Sequence, residues 1–123
     1  MLNYVTLIGR LTGKPELRYT PNGAAVTKFT LAVNRRQVKD REKETDFIDV
    51  VAWQKTAEAC ANNLTKGQKV LVVGRIQTRS YEDNQGIRRK AVEVVANQVI
   101  FLEKPSKSAN QTNDEYDWED VPF

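Results

Sequence analysis

The sequence contains no histidine and only one cysteine, Cys60, among its 123 residues. Histidine is the commonest metal ligand and the commonest general base near neutral pH, so its absence argues against both kinds of site. One cysteine cannot build a disulfide framework. One cysteine and no histidine also supply too few of the usual ligands for a zinc site. No signature of paired carboxylates marks a catalytic site. We therefore predict no metal, no cofactor and no enzymatic activity.

Long hydrophobic runs are also missing from the chain. No apolar segment approaches the roughly 20 residues that a membrane-spanning helix requires, and residues 1–5 (MLNYV) contain no cationic leader. A single cysteine is typical of a protein from a reducing compartment. These absences predict a soluble cytoplasmic protein that makes no contact with a membrane.

The two signs of charge are distributed unequally. Residues 1–104 contain 18 Lys and Arg against 11 Asp and Glu, a net charge of +7. Residues 105–123 contain one Lys against five acidic residues, a net charge of −4. A basic body favours a polyanionic partner, whereas an acidic tail favours a basic protein partner.

Hydrophobic periodicity predicts short strands and one helix in the basic body. Residues 13–23 contain Pro and Asn-Gly turn signals. Lys66-Gly67 is typical of a helix C-cap. Gly74 lies inside a predicted strand and indicates a bulge or a bend. An apolar stripe with helical spacing consists of Ala57, Cys60, Ala61 and Leu64. Period-2 segments predict strands at about residues 3–11, 25–34, 46–54, 69–81, 88–96 and 98–103.

The order of these elements, three strands, one helix and then further strands, predicts the fold. We expect an all-β protein, a β-barrel with one short helix, of the OB-fold type with a five-stranded Greek-key barrel. An SH3-like or other small barrel is the alternative. We expect this domain to occupy residues 1–104, a flexible linker residues 105–113, and an acidic protein-interaction tip residues 114–123, the tail being disordered.

The third strand carries the clearest functional signal. Because side chains alternate between the two faces of a strand, one face holds Phe47, Asp49, Val51 and Trp53 and the other holds Ile48, Val50 and Ala52. If the aliphatic set faces the core, two aromatic rings point outward beside cations. Rings that stack on bases, next to Lys and Arg that follow phosphates, are what single-stranded nucleic acid requires. The alternative is that both rings are core residues and the faces are reversed.

A hairpin between residues 75 and 90 repeats this pattern. Arg75, Gln77, Arg79 and Tyr81 alternate onto one face, and Arg88, Arg89 and Lys90 lie across the turn. A solvated hairpin whose charges serve solubility is the alternative. We predict base stacking by Phe47, Trp53 and Tyr81. We predict phosphate contacts by Lys55, Arg75, Arg79, Arg88, Arg89 and Lys90, whereas Lys28, Arg35 and Arg36 are individually unspecific because basic residues are common in loops.

The C-terminal tip interleaves acidic residues with aromatic ones and ends in Val121-Pro122-Phe123. Apolar residues at a chain end make physical sense if a partner buries them and captures the α-carboxylate. We predict a protein-binding site that consists of Asp117, Glu119, Asp120, Val121, Pro122 and Phe123. A disordered tail that only aids solubility is the alternative.

Over essentially its whole length, the sequence resembles bacterial single-stranded DNA-binding proteins. The motifs that carry the resemblance are residues 5–11 (VTLIGRL), 15–23 (PELRYTPNG), 46–53 (DFIDVVAW), 66–67 (KG), 74–81 (GRIQTRSY) and 119–123 (EDVPF). The resemblance implies a nucleoid-associated OB-fold homotetramer that wraps single-stranded DNA without sequence preference. It also implies a tail that docks replication, recombination and repair proteins, with Phe47, Trp53 and Tyr81 as the stacking residues. Arg79, Lys55 and the basic residues around Arg35 and Arg36 match the phosphate contacts of the family, so we add Arg35, Arg36 and Lys28 to the predicted phosphate contacts.

The sequence departs from the family pattern at Gln37, where many relatives carry an aromatic residue, and at Asp49, where some carry a cation. The linker is also short. Two other functions compete with the main hypothesis: an OB-fold adaptor of the primosome type, and a small-barrel nuclease that uses carboxylates and a divalent metal.

Overall fold

The computed structural model describes residues 1–36 and 44–104. Its elements are β1 (Val5–Leu11), β2 (Glu16–Tyr19), β3 (Ala25–Asn34), β4 (Thr45–Trp53), α1 (Gln54–Asn63), β5 (Lys69–Glu82) and β6 (Arg88–Phe101). Neighbouring strands pair in the order β1-β5-β6-β4-β3-β2, and an additional β1–β3 pairing joins the two sides. Strands β1, β5, β6, β4 and β3 therefore form a closed five-stranded barrel, with α1 between β4 and β5. The predicted barrel with one short helix is confirmed.

Strand β2 lies where the sequence analysis placed only turns. Residues 16–19 (ELRY) pair antiparallel with β3, and Leu17 packs against the core from this strand. The turn signals bracket this strand: Pro15 precedes it, and Gly23 follows with a φ of +87° and an N–H that donates to Thr20 O at 2.8 Å. Four residues are too few for alternation to stand out between such strong turn signals.

Strand β6 is one continuous strand, so the prediction of two separate runs at 88–96 and 98–103 was wrong. In its pairing with β5, Val73 lies opposite Gln98 and Gly74 opposite Ala96, which leaves Asn97 as an extra residue. The break in the sequence pattern at Asn97 is thus a bulge and not the end of a strand. The predicted irregularity at Gly74 is confirmed, since the register shifts between Val73 and Gly74.

Helix α1 packs its predicted apolar stripe against the barrel. Ala57, Cys60 and Leu64 are completely buried, although the helix itself ends at Asn63. The predicted glycine C-cap was wrong: Leu64 is the C-cap in an extended conformation, and its N–H donates to Cys60 O at 3.0 Å. Gly67 instead has a φ of +86° in the following turn. In the described part of the chain, no helix is long and apolar enough to cross a membrane.

The core lies inside the barrel. Its largest completely buried side chains come from β3, β4, β5 and the end of α1, and they include Leu31, Val50, Leu64, Val70 and Val72. Ile48, Val50 and Ala52 all belong to this cluster or pack against it, as the alternation of β4 predicted. The opposite face of β4 therefore points away from the barrel interior.

Candidate functional site

Two cross-strand rows of side chains define an outward surface of the barrel, which we call the outer face. The first row crosses five strands and consists of Arg75, Val95, Val51, Lys28 and Glu16. The second row lies two residues further along the strands and consists of Trp53, Val26 and Arg18. Every second residue of these strands belongs to the same face, because side chains alternate along a strand.

The middle of the first row is an apolar floor. Val51 and Val95 are only 2% and 6% exposed, although both point away from the core. Lys28 and Arg75 lie on the two sides of these valines in the same row, and both are exposed. Because these valines are nearly inaccessible, they support the face from below, and the groups that a ligand can reach are the exposed rings and cations above them.

The predicted stacking residues are exposed aromatic rings. Phe47 is 67% exposed and Trp53 is 42% exposed, so the predicted direction of these side chains is confirmed and the alternative core position is excluded. The two rings are six residues apart on β4, which corresponds to about 20 Å. Asp49 lies between them, and the Thr30 hydroxyl donates to its Oδ1 at 2.9 Å.

The β5–β6 hairpin extends the outer face beyond the barrel. Tyr81 is 45% exposed, and the guanidinium carbon of Arg79 lies 5.7 Å from the centroid of its ring. Arg79 Nε is also 3.9 Å from Oε1 of Glu93, a carboxylate on β6 that is only 9% exposed. Arg79 thus connects an exposed ring to a nearly buried acid. A buried carboxylate requires such a partner, because desolvation of an unpaired charge is costly.

The cations at the tip of the hairpin point in two directions. Arg89 pairs with Tyr81 across the strands and belongs to the outer face, whereas Arg88 and Lys90 alternate to the opposite face. Arg89 Nε also donates to Asp83 Oδ2 at 2.9 Å. This hydrogen bond, together with those from the backbone N–H groups of Ile87 and Gln85, keeps the pKa of Asp83 below its usual range.

Arg35 is tied to acidic neighbours at the start of β4. Its guanidinium donates to both carboxylate oxygens of Asp46, at 2.9 to 3.2 Å, and to Glu44 Oε1 at 3.2 Å. The hydrogen bond and charge of Asp46 raise the pKa of Arg35, and Arg35 in turn lowers the pKa of Asp46. Arg36 and Lys55 are exposed.

Six of the nine predicted phosphate-contact residues make no ion pair with another described residue, namely Lys28, Arg36, Lys55, Arg75, Arg88 and Lys90. The other three pair with acids: Arg35, Arg79 and Arg89. The Arg35 pairs are exposed on both sides and are worth about 0–1 kcal/mol, so a phosphate can compete for Arg35, whereas the acid partner of Arg79 is nearly buried.

Arg18 and Glu93 also belong to the outer face but were not predicted as site residues. The signal for Arg18 was the alternation in Glu16-Leu17-Arg18-Tyr19, which the turn signals on both sides obscured. Glu93 lies two residues before Val95 and therefore on the same face of β6, but this inference requires knowing that β6 is continuous.

The remaining sequence-based predictions fall on other parts of the chain. Several of these predictions lie outside the described residues: Gln37, the linker at 105–113 and the tip at 114–123. The tip contains the predicted protein-binding residues Asp117, Glu119, Asp120, Val121, Pro122 and Phe123. Within the described residues, no group of three or more His, Cys, Asp and Glu side chains is placed to hold a metal ion.

Known proteins are similar to this chain over most of its length. The model of the single-strand binding protein family matches residues 2–102. The single-stranded DNA-binding protein of Clostridium tetani is 51% identical over 123 residues, which cover 99% of this chain and 85% of that protein. Single-stranded DNA-binding protein 2 of Listeria innocua is 53% identical over 117 residues, covering 94% and 74%. Single-stranded DNA-binding protein A of Bacillus subtilis is 58% identical over 104 residues, covering 84% and 60%.

Proposed function

This chain belongs to the single-strand binding protein family, and on this premise we propose that its outer face binds single-stranded DNA without sequence preference. The family is one of OB-fold binding proteins, in agreement with the predictions of an OB fold and of no enzymatic activity. The observation that carries the proposal is the exposure of Phe47 and Trp53 on a face whose apolar floor lies between Lys28 and Arg75. Rings stack on any base, and cations follow the backbone, so neither contact reads sequence.

A titration with oligothymidylate tests this proposal. Stacking is worth about 1–3 kcal/mol per base, so Trp53→Ala should weaken binding roughly five- to hundredfold. Trp53→Phe is the matched control, because it keeps a ring that can stack and should retain most of the affinity. Binding is followed by the anisotropy of a labelled oligonucleotide, which does not depend on tryptophan emission. Equal affinities of the parent and Trp53→Ala would exclude a stacking role for this ring.

The phosphate contacts predict a strong dependence on salt. The slope of log affinity against log salt for single strands is about −0.7 per phosphate contacted. Replacing Arg75 or Lys28 by alanine should make this slope shallower for every oligonucleotide sequence alike. A loss confined to particular bases would indicate that the side chain reads base edges, contrary to the proposal.

We further propose that the chain assembles as a homotetramer. Within the described residues, β1 pairs with β3 only through Arg10 and Leu11, and Gly9 still lies against Ala32 and Val33 of β3, so the edge of β1 that has no paired strand in this chain runs from Val5 to Ile8. Such an edge favours pairing with the same edge of a second copy. A row of partly exposed aliphatic residues crosses β1, β5 and β6 and consists of Ile8, Leu71 and Ile100. This row is a surface on which two such pairs can stack.

Sedimentation equilibrium tests the assembly. The expected mass is four times that of one chain, and Ile100→Asp should lower it by placing a charge in the apolar row. A parent protein that sediments as a single chain would exclude the tetramer. This outcome would leave the proposal for the outer face untouched.

For the acidic tip we propose the recruitment of replication, recombination and repair proteins in the cytoplasm, at the nucleoid. The support is the sequence of the tip, in which the apolar residues Val121, Pro122 and Phe123 follow several acids. Deletion of Val121-Pro122-Phe123 should abolish recruitment and leave DNA binding intact. If full-length and truncated proteins retrieve the same partners from a lysate, the tip has no recruiting role.

A further inference from the structure

Gln54 connects strand β4 to helix α1 through an unusual backbone conformation. Its φ is +58°, and among the described residues it is the only one other than glycine whose φ is positive. A Cβ atom crowds the following carbonyl oxygen in this left-handed region, so residues with a side chain occupy it rarely and at a cost in free energy. A residue keeps such a conformation only where the structure around it imposes it, and residues of this kind cluster at functional sites.

The sequence around Gln54 offers no local reason for this conformation. Glutamine is a good helix former, whereas glycine and asparagine are the residues that favour a left-handed backbone. Trp53 is the N-cap of α1, a position that favours Ser, Thr, Asp or Asn, and its side chain makes no capping hydrogen bond. The first turn of α1 contains no acidic residue either. The reason therefore lies in what the two flanking elements pack against.

Two buried alanines fix the chain on either side of Gln54. Ala52, the last core residue of β4, and Ala57, the first buried residue of α1, are both completely buried. Only residues 53–56 connect them, so the chain changes from the direction of the strand to that of the helix within this segment. Trp53 still has extended dihedral angles, φ −125° and ψ 152°, and pairs with Val26. The change of direction therefore falls on Gln54.

Trp53 is the least constrained of the groups that meet at Gln54. A change in the φ of Gln54 rotates β4 and α1 relative to each other about the N–Cα bond. The helix cannot follow this rotation, because Ala57, Cys60 and Leu64 are completely buried against the barrel. Trp53 is the last residue of β4 and is 42% exposed, so it takes up the rotation at the lowest cost.

We propose that Gln54 is a positioning residue for single-stranded DNA: its left-handed backbone holds the Trp53 ring in the direction in which the ring stacks on a base. The inference rests on the proposed function of the outer face and adds to it the residue that sets the orientation of one stacking ring. The effect is transmitted through the backbone and does not use the amide group of Gln54. Affinity for DNA therefore depends on how readily residue 54 adopts a positive φ.

Two substitutions at position 54 separate the backbone from the side chain. Gln54→Gly and Gln54→Val both remove the amide group. Glycine adopts a positive φ without steric cost, whereas a β-branched residue adopts it least readily. Ala59→Val is the matched control, because it places the same side chain at an exposed position of α1 whose φ is not positive.

Binding of a labelled oligothymidylate is measured by anisotropy for the full-length chain and for each variant, with and without Trp53→Ala. Thermal unfolding verifies that every variant is folded at the temperature of the titration. If Gln54→Val does not fold, Gln54→Leu takes its place, because a bulky side chain without a β-branch enters the left-handed region at a lower cost.

We expect Gln54→Val to weaken binding about threefold or more, because it lowers the population in which the ring is correctly oriented. The loss should not exceed that of Trp53→Ala, since the ring cannot lose more than its whole contribution. Ala59→Val and Gln54→Gly should bind within about twofold of the parent. In the Trp53→Ala background Gln54→Val should have no further effect, because an effect transmitted through the ring disappears with the ring.

The fluorescence of Trp53 gives a second measurement that does not require DNA. The chain contains two tryptophans, Trp53 and Trp118, so Trp118→Phe leaves Trp53 as the only emitter. In this background, the time-resolved anisotropy of the free protein should show a larger amplitude of fast ring motion for Gln54→Val than for the parent or Ala59→Val. Identical anisotropy decays of Gln54→Val and Ala59→Val would contradict the positioning role.

Three results of the titrations would overturn the inference. Equal losses in Gln54→Gly and Gln54→Val would show that the amide group is itself the contact. Affinity of folded Gln54→Val equal to that of the parent would show that the left-handed turn serves the fold alone. A loss that persists undiminished in the Trp53→Ala background would show that Gln54 does not act through the ring.

The two proposals fail in distinguishable ways. If the parent does not bind oligothymidylate, or if Trp53→Ala binds it as tightly as the parent, the proposed function of the outer face is what fails. If Trp53→Ala weakens binding and Gln54→Val does not, only the positioning role of Gln54 is wrong.

Discussion

Among the glycines of the described barrel, Gly74 is the one at which an added methyl group should lower the free energy of unfolding most. A Cβ atom built there meets backbone only: it overlaps the carbonyl oxygen of Val95, and it lies 2.9 Å from the Val95 carbonyl carbon and 3.0 Å from Ala96 Cα. A rotamer change cannot relieve these contacts, because none of the atoms belongs to a side chain. Gly74→Ala must therefore push β5 and β6 apart beside Val95, in the floor of the outer face.

The expected cost follows from this geometry. Forcing an extra methyl group into a packed site costs about 1–3 kcal/mol in free energy of unfolding. Gly13→Ala is the matched control, since a Cβ at Gly13 has no neighbour within 4 Å and its φ is not positive. Alanine there restricts the unfolded chain, so the free energy of unfolding should stay the same or rise by up to about 1 kcal/mol.

Urea unfolding followed by circular dichroism measures both variants. All proteins are compared at one concentration, because assembly would make stability depend on it. Gly74→Ala should also weaken binding of oligothymidylate, since the floor between Lys28 and Arg75 widens. If Gly74→Ala and Gly13→Ala unfold at the same urea concentration, the close approach of β5 and β6 is not rigid and the reasoning fails.

Three further predictions concern single side chains. Glu93→Gln should tighten DNA binding about fivefold or more, because Arg79 loses its acid partner: two charges 4 Å apart are worth ~1 kcal/mol in water and more where one of them is nearly buried, as Glu93 is. Weaker binding would instead mean that Glu93 holds Arg79 in place. The lowered pKa of Asp83 contributes stability that is present above the unfolded-state value of about 3.9 and is lost as pH falls through the folded value. Arg89→Ala should raise this pKa in an NMR titration, and an unchanged value would contradict the pairing. Burial raises the pKa of Cys60 to about 11, so a thiol reagent should modify it only on unfolding. Rapid modification of the native protein would contradict its burial.

The sequence alone determined the features that depend on local periodicity. That Phe47 and Trp53 share one face of β4, opposite the aliphatic set, follows from alternation, because successive side chains of a strand point to opposite faces whatever lies beside it. Burial of the aliphatic set in the barrel then decided that the rings point outward. The stripe of α1 follows in the same way from the helical repeat. The asymmetry between a basic body and an acidic tail is a property of composition and needs no structure.

Tertiary structure alone decided which of these residues are neighbours. Lys28 and Arg75 are far apart in the chain, and they lie in one row only because β3, β4, β6 and β5 pair in one register. Strand pairing likewise places Arg18 in the row of Trp53 and brings Glu93 within 3.9 Å of Arg79. Pairing between distant strands is a non-local choice, made by the packing of the whole core, and one extra residue such as Asn97 changes which side chains meet. Periodicity therefore predicts which side chains share a face of a strand or helix, whereas only the assembled barrel decides which residues become their neighbours.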